Sequence, residues 1–210
     1  MVVEAHNILW NDDIVWPAWK HAAVHKRTGR GVASPSEHSG MYGCAGPKLA
    51  STLGLPVKMG NEKLEAFWDA NPATKALKEN LEKYWTTVGR EKYLPAIDGR
   101  MLCTRKKSAL LNTIFQSCGG IAMDYALCFM DSWLGEMHWK DRKPYYIYKG
   151  FIVRRIGFWH DEAEFECDEL IAPEISAMIE KAITKAGEYL KIKVPLAGEG
   201  KVGKSWMETH

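Results

Sequence analysis

The stretch GFWHDEAEFEC, residues 157–167, sets a histidine and two carboxylates between two apolar, alternating runs. Upstream, YYIYKGFIVRRIGFW (145–159) is rich in β-branched and aromatic residues. Downstream, Ala163, Phe165 and Cys167 alternate with Glu162, Glu164 and Glu166. That period of two predicts a hairpin whose second strand buries one face and leaves the other acidic. His160, Asp161 and Glu162 then fall where the strands meet. Neighbouring residues of a strand point to opposite faces, but at a tight turn both can reach one cleft, where Asp161 can hold a hard cation. Magnesium needs only one or two protein carboxylates when phosphates and water complete its octahedron. A polar turn with solvated charges uses the same residues, so spacing alone leaves both readings open.

On either side of the hairpin the pattern turns helical. APEISAMIEKAITKAGEYL (172–190) has Pro173 near its start and Ile175, Ile179, Ala182, Ile183, Ala186 and Leu190 on one stripe. Before the hairpin, Lys107–Leu134 places Leu110, Leu111, Ile114, Phe115, Cys118, Ala122, Tyr125 and Phe129 at helical intervals, interrupted by Gly119-Gly120. Two glycines there imply that something comes close to the backbone. LPAIDGRMLCT (94–104) reads as a turn at Asp98-Gly99 leading into a short strand. NPATKALKENLEKYW (71–85) predicts a helix capped by Asn71, with Pro72 in its first position and Leu77, Leu81 and Trp85 every fourth residue. GPKLASTLG (46–54) predicts a short helix with Pro47 in its first turn and Gly54 closing it. Residues 1–40 read as irregular, with a short strand at Ile14–Trp16 ended by Pro17. Helices and hairpin strands in separate runs predict an α+β fold.

With 210 residues and 46% hydrophobic content, the chain is long enough for a core and is neither low-complexity nor disordered. A formal charge of +2 excludes a uniformly basic coat, so any nucleic-acid contact must come from local clusters such as HKRTGR (25–30) and RKK (105–107). Cys44, Cys103, Cys118, Cys128 and Cys167 are odd in number and never spaced CxxC, which predicts reduced core thiols and argues against structural zinc. No stretch approaches the length that crosses a bilayer, so a cytoplasmic location without membrane contact is expected.

The HDE triplet (160–162) between two hydrophobic strands, followed by EFEC and a helix, resembles the third conserved motif of the family A DNA polymerases, which include the phage replicative enzymes. Other segments carry the same resemblance in order. MYGCAGPKLASTLG (41–54) is similar to the end of the fingers helix, LNTIFQSCGG (111–120) after AIDGRML to the palm helix, and EGKVGKSWMETH (199–210) to the phage C-terminus. DDIVWPAWKHAAVHKRTGRGVASPS (12–36) resembles the strand and Thr-Gly-Arg segment. The resemblance implies a palm-like antiparallel sheet packed by long helices, with a partial palm segment at 1–40, partial fingers at 41–95 and palm at 96–210. It implies that Asp161 binds catalytic Mg2+ in a two-metal site, Glu162 supports it and His160 lies near the primer terminus. Arg30, Asn112 and Gln116 would reach the minor groove, Arg105 and Lys106 the duplex, and Tyr42 with Gly43 the template base and incoming nucleotide. Primer–template DNA and dNTP are the implied partners.

The chain departs from that pattern between Thr-Gly-Arg and Tyr-Gly. Only eleven residues, Gly31–Met41, stand where the family carries the first metal-binding aspartate and the triphosphate-binding Arg and Lys. Ser34 and His38 occupy the fingers-helix spacing before Tyr42, and Pro35 would break a helix there. Two ions clamping the attacking and leaving oxygens need both aspartates. The expectation is therefore a polymerase component completed by a second polypeptide; the alternative is a non-catalytic primer–template-binding protein derived from a polymerase.

Overall fold

In the computed structural model, residues 2–8 (backbone and pairing), 45–159 and 162–209 are described. The chain divides into two compact units, Met1–Asn11 with Cys118–His210, and Asp12–Ser117. The expected strand at Ile14–Trp16, and Cys44, lie outside the described residues.

The first unit is built on a six-stranded antiparallel sheet in the order β4-β5-β6-β7-β1-β8. Its strands are β1 (Val2–Ile8), β4 (Met137–Lys140), β5 (Lys143–Tyr148), β6 (Phe151–Trp159), β7 (Glu162–Glu166) and β8 (Ala197–Gly203). The hairpin read from the sequence is β6–β7, and it sits among inner strands rather than at an edge. β7 is paired on both sides, with Ala163 opposite Phe158 on β6 and opposite Ala5 on β1. Antiparallel strands often keep one wet face, and here the alternation chooses it. Ala163 and Phe165 are fully buried with Val153 and Tyr146. The helices α4 (Leu110–Leu134) and α5 (Ala172–Tyr189) cover that face, contributing Ala122, Met123, Ala126 and Met130 from one and Ile175, Ile179, Ala182 and Ile183 from the other. Of the stripe predicted for α5, Ile175, Ile179, Ala182, Ile183 and Ala186 are buried, and Leu190 lies half-buried just past its end.

The expected break at Gly119-Gly120 is absent, because α4 runs without interruption from Leu110 to Leu134. A Cβ at Gly120 would meet nothing within 4 Å among the described residues, so the close neighbour expected there is not one of them. Strand β8 is a further element that the sequence reading left out. It pairs with β1 and is fastened to α5 by the Gly200 N–H, which donates to Glu180 Oε1 at 2.8 Å.

In the second unit, α1 (Gly46–Leu53), α2 (Val57–Ala70) and α3 (Pro72–Thr87) precede a two-stranded sheet of β2 (Tyr93–Pro95) and β3 (Met101–Cys103). Gly54 closes α1 at φ 65°, as its position predicts. α2 has no counterpart in the sequence reading. Asn71 precedes α3 but makes no side-chain cap. Its amide instead donates to Phe67 O at 2.8 Å, tying it to the end of α2. Trp85, Leu94 and Leu110 form a small core cluster among this unit's described residues, and the Trp85 indole N–H donates to Thr104 O at 3.2 Å. The expectation of core thiols holds for Cys167 alone among the described cysteines. Cys103 and Cys128 are exposed and Cys118 is half-buried. A helix or strand shows solvent every few residues, so apolar neighbours in sequence do not bury a thiol. No described helix is long and apolar enough to cross a membrane.

A polar clamp joins α4 to the sheet in the first unit. The Tyr146 hydroxyl donates to Asp131 Oδ1 at 2.7 Å, and Arg155 Nη1 lies 3.8 Å from the same oxygen. Burial, together with the Asp131 carboxylate, pushes the Tyr146 phenol well above its ordinary value. The folded chain thus favours the neutral phenol, and this contribution is intact below about pH 10 and lost as the pH rises toward the folded value. Tyr146→Phe is expected to cost about 1–2 kcal/mol in urea unfolding at pH 7. The difference should narrow above pH 10, and parallel pH profiles for the two proteins would refute the clamp.

Candidate active site

The wet face of the sheet carries a cleft of about 390 Å³ lined by Trp159, Glu162, Glu164 and Trp206. All four belong to the first unit, and three come from the β6–β7 hairpin. Pairing places Trp159 opposite Glu162 and Gly157 opposite Glu164, so these positions share one face. A register shift between Arg155 and Gly157 brings them there. Such a bulge inserts one residue and reverses which side chains face which way beyond it. Gly157 also gives the Trp159 ring room to lie against the strand, since a Cβ there would meet the far end of that ring.

Trp206 arrives from the opposite end of the chain. Strand β8 ends at Gly203, and the short helix α6 (Trp206–Thr209) turns back over it. The Lys204 N–H donates to Glu208 Oε2 at 2.7 Å, and Thr209 is fully buried. Gly203 lies against Glu208 and Thr209, where any side chain would be crowded. These contacts fix the tryptophan over the carboxylates while leaving it 56% exposed.

The acidic face expected of β7 differs from its sequence reading at one position. Glu162 is half-buried and Glu166 exposed, but Glu164 is only 4% exposed. The alternation predicts its face correctly and its solvation wrongly, because an inner strand is shaded by both neighbours and by the tryptophans. Glu166 is held by Arg154 at 3.3 Å across the strands.

His160 and Asp161, the expected catalytic pair, lie outside the described residues, as do Arg30, Tyr42 and Gly43. Among the described residues no group of three or more His, Cys, Asp or Glu could hold a metal ion. The cleft's donor chemistry nonetheless suits Mg2+, since Glu162 and Glu164 offer the hard carboxylate oxygens that this ion prefers. The sequence reading missed Trp159 and Trp206 as site residues. An indole directly before His-Asp-Glu was a local signal for the first, whereas nothing local signals the second.

Asn112 and Gln116 belong to the second unit and stand one turn apart on α4. Gln116 is exposed. The Asn112 Oδ1 is buried and has no hydrogen-bond partner among the described residues. Leaving a buried acceptor unsatisfied costs on the order of 1–3 kcal/mol, which a donor from a ligand would recover. Arg105 and Lys106 are exposed on the loop that follows β3. Their neighbour Lys107 is committed to Glu82 at 3.0 Å, and Lys78 reaches the same carboxyl at 3.0 Å. Burial pushes the Glu82 carboxyl up, but the hydrogen bonds from Lys107 and Lys78 outweigh it and hold the group below its ordinary value. Two cations of the RKK cluster therefore remain for a polyanion.

A carboxylate-lined cleft on the open face of an antiparallel sheet, backed by long helices, places the chain in the α+β class. Residues 19–208 match the family model of DNA polymerase family A. The chain is 29% identical over 176 residues to a DNA-directed DNA polymerase of Escherichia phage Phieco32, covering 80% of this chain and 26% of that protein. It is 26% identical over 185 residues to one from Enterobacteria phage T3 and 25% identical over 185 residues to one from Escherichia phage T7. In both cases 81% of this chain and 25% of the relative are covered. The chain belongs to DNA polymerase family A. It spans about a quarter of the length of the curated relatives it matches.

Gly157→Ala tests how the cleft is assembled. The added methyl meets the far end of a half-exposed indole, which can swing away, so stability should change by less than about 1 kcal/mol. Acrylamide quenching should nevertheless rise above the parent's, as the half-exposed Trp159 ring moves further into solvent. Unchanged quenching with a large stability loss would mean that the strand, rather than the ring, gives way.

Proposed function

We propose that the chain supplies part of the polymerising centre of a phage-type DNA-directed DNA polymerase, acting in template-directed nucleotidyl transfer on primer–template DNA with dNTP in the host cytoplasm. The observation that carries this reading is the cleft of Glu162 and Glu164 between two tryptophans, at the strand that follows His160-Asp161, in a member of this family. Residues 1–40 and 96–210 would act as palm and 41–95 as partial fingers.

Family A polymerases generally use Mg2+. Asp161 would hold it with Glu162 in support, and the ion would lower the cost of negative charge at the reacting phosphate. The remaining roles fall to the chain's own groups. His160 would lie at the primer terminus, and Trp159 and Trp206 would shield the cleft from water and offer ring faces to a base or sugar. Asn112 and Gln116 would touch the minor groove, where their side-chain amides can donate to the N3 and O2 acceptors that the base pairs present in common. Arg30, Arg105 and Lys106 would bind the duplex, and Tyr42 with Gly43 would border the templating base. The first metal-binding aspartate motif and the triphosphate-binding lysine would come from a second polypeptide.

The test is primer extension by the purified chain with and without a polypeptide carrying those motifs. The chain alone should extend poorly or not at all, and the complemented pair should extend. In the complemented enzyme Asp161→Asn should cost about 10³-fold or more in turnover, corresponding to about 4 kcal/mol, with primer–template binding intact. Glu162→Gln should cost less. Wild-type turnover by Asp161→Asn alongside an inactive Glu162→Gln would move the metal role to Glu162. Binding without turnover under any complementation would favour the non-catalytic primer–template-binding protein instead. Binding should be indifferent to base sequence and weaken with salt, and salt-independent binding would count against both readings.

A further inference from the structure

The β4–β5 hairpin carries three cations in four residues at a place where the fold disfavours them. Its turn residues Asp141 and Arg142 sit at φ 51° and 63°, in the left-handed region. A two-residue connection of this kind prefers glycine at its second position, and the β5–β6 turn has it, with Gly150 at φ 85°. Arginine is strained there. Lys140 and Lys143 face each other directly across the strands, and like charges so placed repel. None of the three makes an ion pair among the described residues, whereas Lys149 at the neighbouring turn closes on Glu174 at 2.7 Å. Protection of an exposed sheet edge explains a lysine on β4, and it extends to Lys143, which lies beyond the β5–β6 pairing at 146–148. It does not explain Arg142, which stands in the turn between the strands.

The alternation of side chains fixes which face these lysines share. Tyr146 on β5 and Val153 on β6 pair and are buried toward the helices, so Tyr145 and Lys143 take the opposite face, with His138 and Lys140 across from them. This is the face that bears Glu162 and Glu164. Just inside the lysine pair, the His138 and Tyr145 rings lie 5.4 Å apart and add a flat surface.

We propose that the β4–β5 hairpin tip is a phosphate clamp for duplex DNA, in which Lys140, Arg142 and Lys143 neutralise backbone phosphates of a primer–template lying on the carboxylate-bearing face. The inference rests on the polymerase reading above. A polyanion is the partner that turns the Lys140–Lys143 repulsion into binding. β4 lies three strands from β7, about 14 Å at the usual strand spacing. At about 3.4 Å per base pair, the clamped phosphates stand roughly four base pairs from the reacting end.

The experiment compares the full chain with the triple variant Lys140→Gln, Arg142→Gly, Lys143→Gln and with Arg142→Gly alone. Binding to a primer–template duplex is measured between 50 and 200 mM salt, with thermal unfolding alongside. Each phosphate contact contributes about 0.9 to the slope of log affinity against log salt. The triple variant should therefore lose roughly two to three in slope, and Arg142→Gly about one. Arg142→Gly eases the turn, so its melting temperature should equal or exceed the parent's, and its lost slope then cannot be a folding defect. Full slope in Arg142→Gly and in a folded triple variant, with a wild type that binds, would overturn the clamp and leave the polymerase reading standing. A change seen only with single-stranded template would also overturn it. A wild type that binds no duplex at 50 mM salt would remove the polymerase reading and the clamp together.

Discussion

Phe165 and Ala163 alternate with Glu162 and Glu164 along a strand hydrogen-bonded on both sides, and the burial of the first pair against α4 and α5 decides where the second pair stands. The side-chain period of a strand is two, so a slip of one residue would drive carboxylates into the core. Ionised groups without partners cannot be accommodated there. The register of the whole sheet is thereby held, and with it the pairing of β6, β1 and β8. An apolar constraint on one face thus specifies the position of the chemistry on the other.

The cleft depends on segments that are distant in sequence. The β-bulge before Gly157 turns Trp159 onto the acidic face, and the absence of a side chain on Gly157 gives its ring room. Trp206 comes from the last helix, anchored by Thr209 and by the Glu208 carboxylate on the Lys204 amide. Two half-exposed indoles beside two carboxylates make a poor stability device. The turn at Asp141-Arg142 likewise sets residues against their local backbone preference.

The features legible in the sequence are ones set by near neighbours. The stripe on α5, the Gly54 stop of α1, the Asp98-Gly99 turn and the β6–β7 hairpin all follow from spacings of two to four residues, because propensity and period are local properties. The ordered motifs carried the family as well. Tertiary structure alone decided the burial of Glu164, the exposure of Cys103 and Cys128, the commitment of Lys107 to Glu82, and the placing of Trp206 and Trp159 on one cleft. Each of these depends on what lies across a sheet or against a helix, tens of residues away. No short window of sequence contains that partner, whereas folding brings it within a few ångströms.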